Sequence, residues 1–402
     1  MKKNIWCDSM FCENNSAWMV GSALNALFKF DFDTKTYKYI TDFPNVPIMG
    51  FRVNQLCMKI QNNIFSFPDC GECIWIYNID NNNFDKIMID NPDKVRIGIY
   101  MAFKINSSIY AIASGLKQII EIGVNKKEIL GIYSIEEYMQ NSLVNCEGCV
   151  VHENIYFTIP EKNIVCEFSA KTKKVTVFDI SKNIMPQTIC YDGANFWLTG
   201  KTKEVVKWNR EMNSLTYYTN IPKSVGMFEI VDGIFFENTS DTVYQRPLFR
   251  WSMNVRNKIW FIPFTANKVI YLDQATQEIC ACDIESEYED GESWSRIEKV
   301  KYRFECVFLN RYIFLYSYKN KNYLVIDAKT DVAFPVDIVL EKESREEIFK
   351  QILVKHDSII ETDATDILDI SQILKNTDGR KEKEDIGKRI YQQGLDVKDV
   401  II

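Results

Sequence analysis

The sequence predicts an all-β fold built from seven or eight copies of one four-stranded unit. Six times, a short polar residue between two apolar runs is followed three positions later by Thr or a similar residue. Such a polar side chain can bond the backbone two residues on, which is typical of a tight hairpin turn. Recurrence at roughly forty-residue spacing indicates a β-propeller or a related array. The copies begin at Asp31, Asn78, Ser169, Asn209, Asp273 and Asp327.

A short aromatic or β-branched strand precedes each turn and is itself preceded by turn residues. Eight such strands can be counted, and each unit supplies the four strands of a propeller blade. The sixth unit, from about 227 to 249, is degenerate, so seven blades remain if that unit is a decoration. The strands cover 17–20, 64–67, 109–112, 155–158, 196–199, 234–237, 259–262 and 313–316.

The chain is expected to divide into a propeller over 1–340 and a helical extension over 341–402. No Gly-, Pro- or Ser-rich linker interrupts residues 5–340, whereas 348–354 and 367–374 show helical spacing of apolar residues. The extension is too short and too polar to build a strong core alone. We expect it to dock on the propeller, to bind a partner or to support self-association.

Composition excludes several classes of function. The 402-residue chain is 46% hydrophobic and carries a net charge of −7 with a pI near 5.3, which argues against a nucleic-acid partner. No apolar run is long enough to span a membrane and no targeting segment is visible, so a cytoplasmic protein is expected. The twelve cysteines are then expected to be mostly reduced.

The segment from Lys258 to Thr276 resembles the inner strand and outer hairpin of a Kelch-type blade. The resemblance to the propeller superfamily covers about 5–340, although the Gly-Gly pair that follows the second Kelch strand is replaced, for example by Ile262-Pro263. The strands that begin at Ile155 and Ile259 also resemble those of streptogramin lyases. That resemblance implies a catalytic histidine and a metal, and no histidine here matches. The resemblance therefore implies the fold and no activity.

Two Cys-x-x-Cys pairs, Cys70–Cys73 and Cys146–Cys149, have the spacing of zinc-ligand pairs. Cys70 follows a second strand and Cys146 precedes a first strand, and loops of both kinds open on one face of a propeller. The pairs belong to the second and fourth units, so one loop would have to cross the unit between them. Ordinary reduced cysteines are favoured and no cofactor is expected, with zinc as the open alternative.

Nucleophile–histidine catalysis is disfavoured because the chain has only two histidines. His152 falls in a turn on the face opposite the loops above, and His356 falls in the helical extension. Carboxylate-pair chemistry stays open, since 55 acidic residues offer too many pairs for the sequence to choose among them.

An acidic insertion at 283–294 is the longest connection between units, and Glu287, Asp290 and Trp294 are its candidate partner-binding residues. A solvated loop is the favoured explanation of this segment, and partner binding is the alternative. We therefore expect a non-catalytic propeller that binds a protein or peptide on its loop face, assisted by the extension. The alternative is an enzyme or a small-molecule or carbohydrate binder with a carboxylate-lined central pocket.

Overall fold

The chain is an all-β propeller of seven four-stranded blades with one helix near the C-terminus of the described residues. A computed structural model describes residues 7–21, 24–48, 53–139, 147–180, 183–231, 234–238, 247–282, 284, 302–317 and 322–355. The chain divides into two compact units. One holds 1–90 with 321–323 and 336–402, and the other holds 91–320 with 324–335.

The first unit contains two blades whose strands follow one another in antiparallel order. Blade 1 comprises β1 (Cys7–Glu13), β2 (Ser16–Gly21), β3 (Ala26–Asp31) and β4 (Thr36–Asp42). Blade 2 comprises β5 (Asn54–Ile60), β6 (Asn63–Pro68), β7 (Cys73–Asn78) and β8 (Asn83–Met88).

The second unit contains blades 3 to 6 and most of blade 7. Blade 3 comprises β9 (Ile99–Ile105), β10 (Ser108–Ala113), β11 (Gln118–Gly123) and β12 (Glu128–Ser134), followed by a 3-10 turn at Glu136–Tyr138. Blade 4 comprises β13 (Gly148–Val151), β14 (Asn154–Ile159), β15 (Ile164–Ser169) and β16 (Val175–Asp179), with a 3-10 turn at Pro160–Lys162. Blade 5 comprises β17 (Thr188–Tyr191), β18 (Phe196–Thr199), β19 (Val205–Asn209) and β20 (Ser214–Tyr218).

The degenerate sixth unit of the sequence is a separate two-stranded sheet, so the blade number is seven. This sheet consists of β21 (Met227–Val231) and β22 (Ile234–Asn238). Blade 6 comprises β23 (Phe249–Val255), β24 (Lys258–Pro263), β25 (Ile270–Asp273) and β26 (Ile279–Ala281). Blade 7 comprises β27 (Tyr302–Phe308), β28 (Tyr312–Ser317), β29 (Asn322–Asp327) and β30 (Val332–Val336).

First strands of successive blades lie side by side inside each unit, while the fourth strands of blades 2 to 5 are largely exposed. Strand β1 contacts β5 in the first unit, and β17 contacts both β13 and β23 in the second. Second-strand aromatics fill the space between blades, as the recurrence of these residues predicts. Trp18, Tyr110, Tyr156, Trp197 and Trp260 are all 5% exposed or less.

All six predicted turns form, and a side-chain oxygen of the first residue accepts a backbone N–H in each. Asp31, for example, accepts from Asp33 at 2.9 Å and from Thr34 at 2.8 Å. The fifth residue of each turn is left-handed, with φ between 46° and 60°. The remaining first residues bond as predicted, at Asn78, Ser169, Asn209, Asp273 and Asp327.

These turns also join neighbouring blades of the second unit, because a turn side chain reaches the blade before it. The contacts fall at four successive blade junctions, from blade 3 to blade 7. The bonds are Lys173 Nζ to Glu121 at 2.7 Å, Arg210 to Glu167 at 2.7 Å, Tyr218 OH to Gln277 at 2.5 Å and Tyr271 OH to Asp331 at 2.8 Å.

After blade 7 the chain returns to blade 1, where β31 (Val339–Leu340) adds a fifth strand parallel to β4. Helix α1 (Lys342–Lys355) follows and packs against β4. The Ser344 hydroxyl accepts the Tyr39 backbone N–H at 2.9 Å, and Ile348 is buried. The predicted helical segment 348–354 thus lies within α1, while 367–374 lies outside the described residues. No helix among the described residues has the length and apolarity needed to cross a bilayer.

Candidate functional site

The cysteines proposed as zinc ligands fall in different surroundings. Cys70 is exposed in the loop between β6 and β7, and Cys73 is buried at the start of β7. Cys149 is partly buried on β13, and Cys146 lies outside the described residues. Within the described residues, no group of three or more His, Cys, Asp or Glu side chains is arranged to hold a metal ion.

Of the other residues that the sequence singled out, one lies among the described residues and the rest do not. His152 is an exposed, left-handed turn residue between β13 and β14, with φ of 56°. His356 lies outside the described residues, and so do the proposed partner-binding residues Glu287, Asp290 and Trp294.

A recurring β-bulge marks one end of the first strands. We use the term loop face for the end of each blade where the first strand begins and the second ends. In blades 2, 3 and 6 one extra residue interrupts the pairing of these two strands there, namely Gln55, Tyr100 and Arg250. A bulge re-aims the side chain that it carries and is common beside functional sites.

The bulge residue of blade 6 lies among aromatic rings. The Arg250 guanidinium is 4.8 Å from the centre of the Trp251 ring and 5.8 Å from that of Phe264. All three residues are partly exposed. Phe264 directly follows β24, so the second strand and the first strand both contribute to this cluster. Arg250, Trp251 and Phe264 are hereafter the Arg250 cluster.

Blade 3 repeats this pairing on its own loop face. The exposed Arg96 lies 5.8 Å from the ring centre of Tyr100, the bulge residue of β9. Arginine and large aromatic residues are the types that dominate binding energy at protein interfaces, since they combine apolar area with directed hydrogen bonds.

Next to the Arg250 cluster, Glu147 joins the first strands of three blades. It stands one residue before β13, and its carboxylate accepts the backbone N–H of Ile189 on β17 at 3.0 Å. The same group accepts the backbone N–H of Ser252 on β23 at 2.9 Å and the Ser252 hydroxyl at 2.9 Å. One side chain therefore ties blade 4 to blades 5 and 6.

The enclosure of this carboxyl changes its acidity. Burial raises the pKa of Glu147 to about 8, although the Ser252 and Ile189 donors and the charge of Arg250 act in the opposite direction. A carboxyl with a pKa near neutrality can hold or release a proton under ordinary conditions, which is a property shared by catalytic acids and by structural switches.

The cysteines beside Glu147 are held as thiols. Burial raises the pKa of Cys149 and of Cys190, and the negative charge of Glu147 raises both further. Because the thiolate is the form that attacks electrophiles and ligates metals, neither residue is activated for such chemistry.

Sequence reasoning missed both Arg250 and Glu147. Arg250 stands between Phe249 and Trp251, so a charged residue within an aromatic run was the available signal for a bulge. Glu147 had none, because its partners lie 42 and 105 residues away.

Comparison with known proteins supports the fold. A crystal structure of selenomethionine-substituted virginiamycin B lyase from Staphylococcus aureus is similar over 76% of this chain and 90% of that one, with a TM-score of 0.53 and 13% identity. A chain in the crystal structure of the Mitotic Checkpoint Complex is similar over 79% of this chain and 86% of that one, with a TM-score of 0.51 and 7% identity. At these identities the likeness shows a propeller fold alone. No protein-family model and no curated protein matches the chain.

Proposed function

We propose that this propeller is a non-catalytic cytoplasmic module that binds a protein or peptide on its loop face. The propeller fold supports a binding or scaffold role in general, and one similar chain belongs to a structure described as a complex. The observation that carries the proposal is the Arg250 cluster. A bulge turns an arginine onto two partly exposed aromatic rings at the loop face of blade 6.

The helical extension has a second part in this proposal. Helix α1 packs against β4 of blade 1, where Ser344 bonds Tyr39, and residues 356–402 follow it in the chain. We propose that 356–402 assists partner binding or self-association. Truncation after Lys355 tests this role without removing the contacts between α1 and β4.

The experiment is affinity capture of the tagged chain from its own cell lysate, followed by mass spectrometry. The full chain, Arg250→Ala, Lys86→Ala and a chain ending at Lys355 are compared. Lys86, on the outer strand β8, is the matched control. Its ammonium lies 6.0 Å from the centre of the Trp75 ring, so it also pairs a cation with an aromatic ring. We expect a saturable partner that is kept by Lys86→Ala and weakened roughly tenfold or more by Arg250→Ala.

Equal capture by Arg250→Ala and the full chain would overturn the loop-face assignment. Loss of the partner in the chain that ends at Lys355 would place part of the contact in 356–402. No enriched partner in any form would contradict the interaction module itself.

Glu147 is the observation that favours the alternative, a small-molecule or carbohydrate binder or an enzyme with a central carboxylate site. Its pKa near 8 is suited to proton transfer. Three donors from neighbouring blades already bond the carboxylate, which favours a structural role. A ligand and glycan screen with Glu147→Gln as the negative control distinguishes the two functions.

A further inference from the structure

Blade 2 holds a buried amide whose hydrogen bonds are not met by protein. Asn54 is the first residue of β5 and is 0% exposed. Across the described residues, neither its Nδ2 nor its Oδ1 atom has a hydrogen-bond partner. The hydroxyl of Ser66 on β6 is equally buried and equally without a partner.

The strand register brings Asn54 and Ser66 to one face of the sheet. Asn54 lies opposite Pro68, and Ser66 precedes Pro68 by two residues on β6. Side chains two residues apart on a strand point to the same side, so Asn54 and Ser66 are diagonal neighbours. Such neighbours are separated by about 7 Å, a span that one or two small bridging molecules can fill.

Blade 5 repeats the arrangement at the corresponding place. Gln187 stands directly before β17, at the loop-face start of the first strand, and is 5% exposed. Its Nε2 atom has no hydrogen-bond partner among the described residues, although its backbone N–H bonds Thr199 at 2.7 Å. Two blades therefore place a buried amide with unmet bonds at the same end of the same strand.

In blade 1, by contrast, a buried side-chain amide bonds protein atoms through both its nitrogen and its oxygen. Asn25 is 1% exposed, donates from Nδ2 to the Pro47 carbonyl at 3.0 Å and accepts the Val53 N–H at 2.9 Å. A buried polar group left without any bond costs about 1–3 kcal/mol, and such groups are rare in folded proteins.

We propose that ordered water molecules bind at two internal sites, one bridging Asn54 and Ser66 in blade 2 and one on Gln187 in blade 5. A water molecule can accept a hydrogen bond from an amide N–H, donate one to an amide oxygen, and act as donor or acceptor toward a hydroxyl. The apolar residues around the first site include Cys57 and Ile64, which are buried in close contact with blade 1. Such packing suits water better than a larger ligand.

Magnetic relaxation dispersion of the full chain tests this proposal, because it counts water molecules with long residence times. The count should fall in Asn54→Leu and in Gln187→Met, each of which removes the amide and keeps a side chain of similar length. Thr216→Val, at an exposed position on β20, is the control, because it removes a hydroxyl without leaving a buried polar atom unpaired. Its count should equal that of the unmodified chain.

Circular dichroism establishes that each variant is folded, and Ser66→Ala replaces Asn54→Leu if that variant is not. An unchanged water count in the folded amide variants would overturn the proposal. So would a crystal structure in which the Asn54 or Gln187 amide bonds directly to a protein atom. Solvent density within hydrogen-bond distance of both amides would support it.

Discussion

Two opposing electrostatic effects act on the carboxyl group of Glu147. It accepts hydrogen bonds from Ile189 and Ser252, two residues on the first strands of other blades. These donors stabilise the ionised carboxylate, while the surrounding protein disfavours its charge. The two effects oppose each other, and the desolvation of Glu147 is the larger.

The raised pKa of Glu147 predicts a loss of stability at alkaline pH. Its pKa rises from an ordinary 4.5 to about 8, so the folded state binds more protons than the unfolded state between these values. Stability from this group is therefore greatest at the acidic end of the window and is lost as the pH rises through about 8. The residue as a whole is partly exposed although its carboxyl group is enclosed, so we expect a change on the order of 1–3 kcal/mol.

Urea denaturation at about pH 6 and about pH 9 measures this effect. Glu147→Gln should lose most of the pH dependence in this window, whereas Glu128→Gln, a substitution at an exposed position on β12, should retain it. Identical pH profiles for the unmodified chain and Glu147→Gln would show that the carboxyl is not the titrating group.

At the level of the element, the six hairpin turns that begin with a polar residue have up to two roles. The first residue closes the turn by accepting backbone N–H groups, and in the second unit other turn residues bond the preceding blade. Lys173 illustrates the second role, since it reaches both Glu121 and the Tyr110 hydroxyl. Local turn formation and packing between blades are therefore coupled through the same few residues.

Replacement of the first turn residue should cost about 1 kcal/mol. Asp31→Ala removes the acceptor for Asp33, Thr34 and the Thr34 hydroxyl, whereas Asp31→Asn keeps a side-chain oxygen that can accept. Thermal denaturation should show a lower midpoint for Asp31→Ala and a midpoint near that of the unmodified chain for Asp31→Asn. Equal losses in both variants would mean that charge, rather than turn closure, is what Asp31 contributes.

The ion pair between Lys173 of blade 4 and Glu121 of blade 3 should contribute more to stability than an exposed ion pair does. Burial alone raises the pKa of Glu121, but hydrogen bonds from Lys173, Tyr133, Tyr110 and Ser108 outweigh it and lower that pKa to about 2. A double-mutant cycle of Glu121→Gln and Lys173→Met should give a coupling energy of about 1–3 kcal/mol.

The exposed pair Lys126 and Glu128, 3.4 Å apart, is the matched control for this cycle. Its coupling should lie between about 0 and 1 kcal/mol, because solvent screens it and its ordering costs side-chain entropy. Equal coupling energies for the two pairs would show that the bond from Lys173 to Glu121 stabilises the fold no more than an exposed ion pair.

For the molecule as a whole, the repeat pattern was the part of the structure that sequence could predict. The polar first residue made six turns visible, and all six form. Blade 3 has the same left-handed turn residue, Lys127, but begins its turn with Gly123, so the pattern did not include it. The spacing of apolar residues also detected α1, although its first turn is polar and carries no such signal.

The blade number and the site depended on information that is not local. Strands β21 and β22 pair like the first hairpin of a blade, and the degenerate sequence of this unit left seven and eight blades open. Arg250 owes its position to a bulge, and Glu147 owes its partners to strands from other blades. Patterns of single residues do not encode such long-range pairings.

Site-specific photo-cross-linking tests whether a partner binds at the Arg250 cluster. A photoreactive amino acid is placed at Phe264 in one variant and at Lys86, on the outer strand β8, in another. Both variants are irradiated in lysate, and the adducts are identified by mass spectrometry. We expect one discrete protein adduct from position 264 that is absent from position 86. Adducts from position 86 alone, or the same adducts from both positions, would contradict binding at the Arg250 cluster.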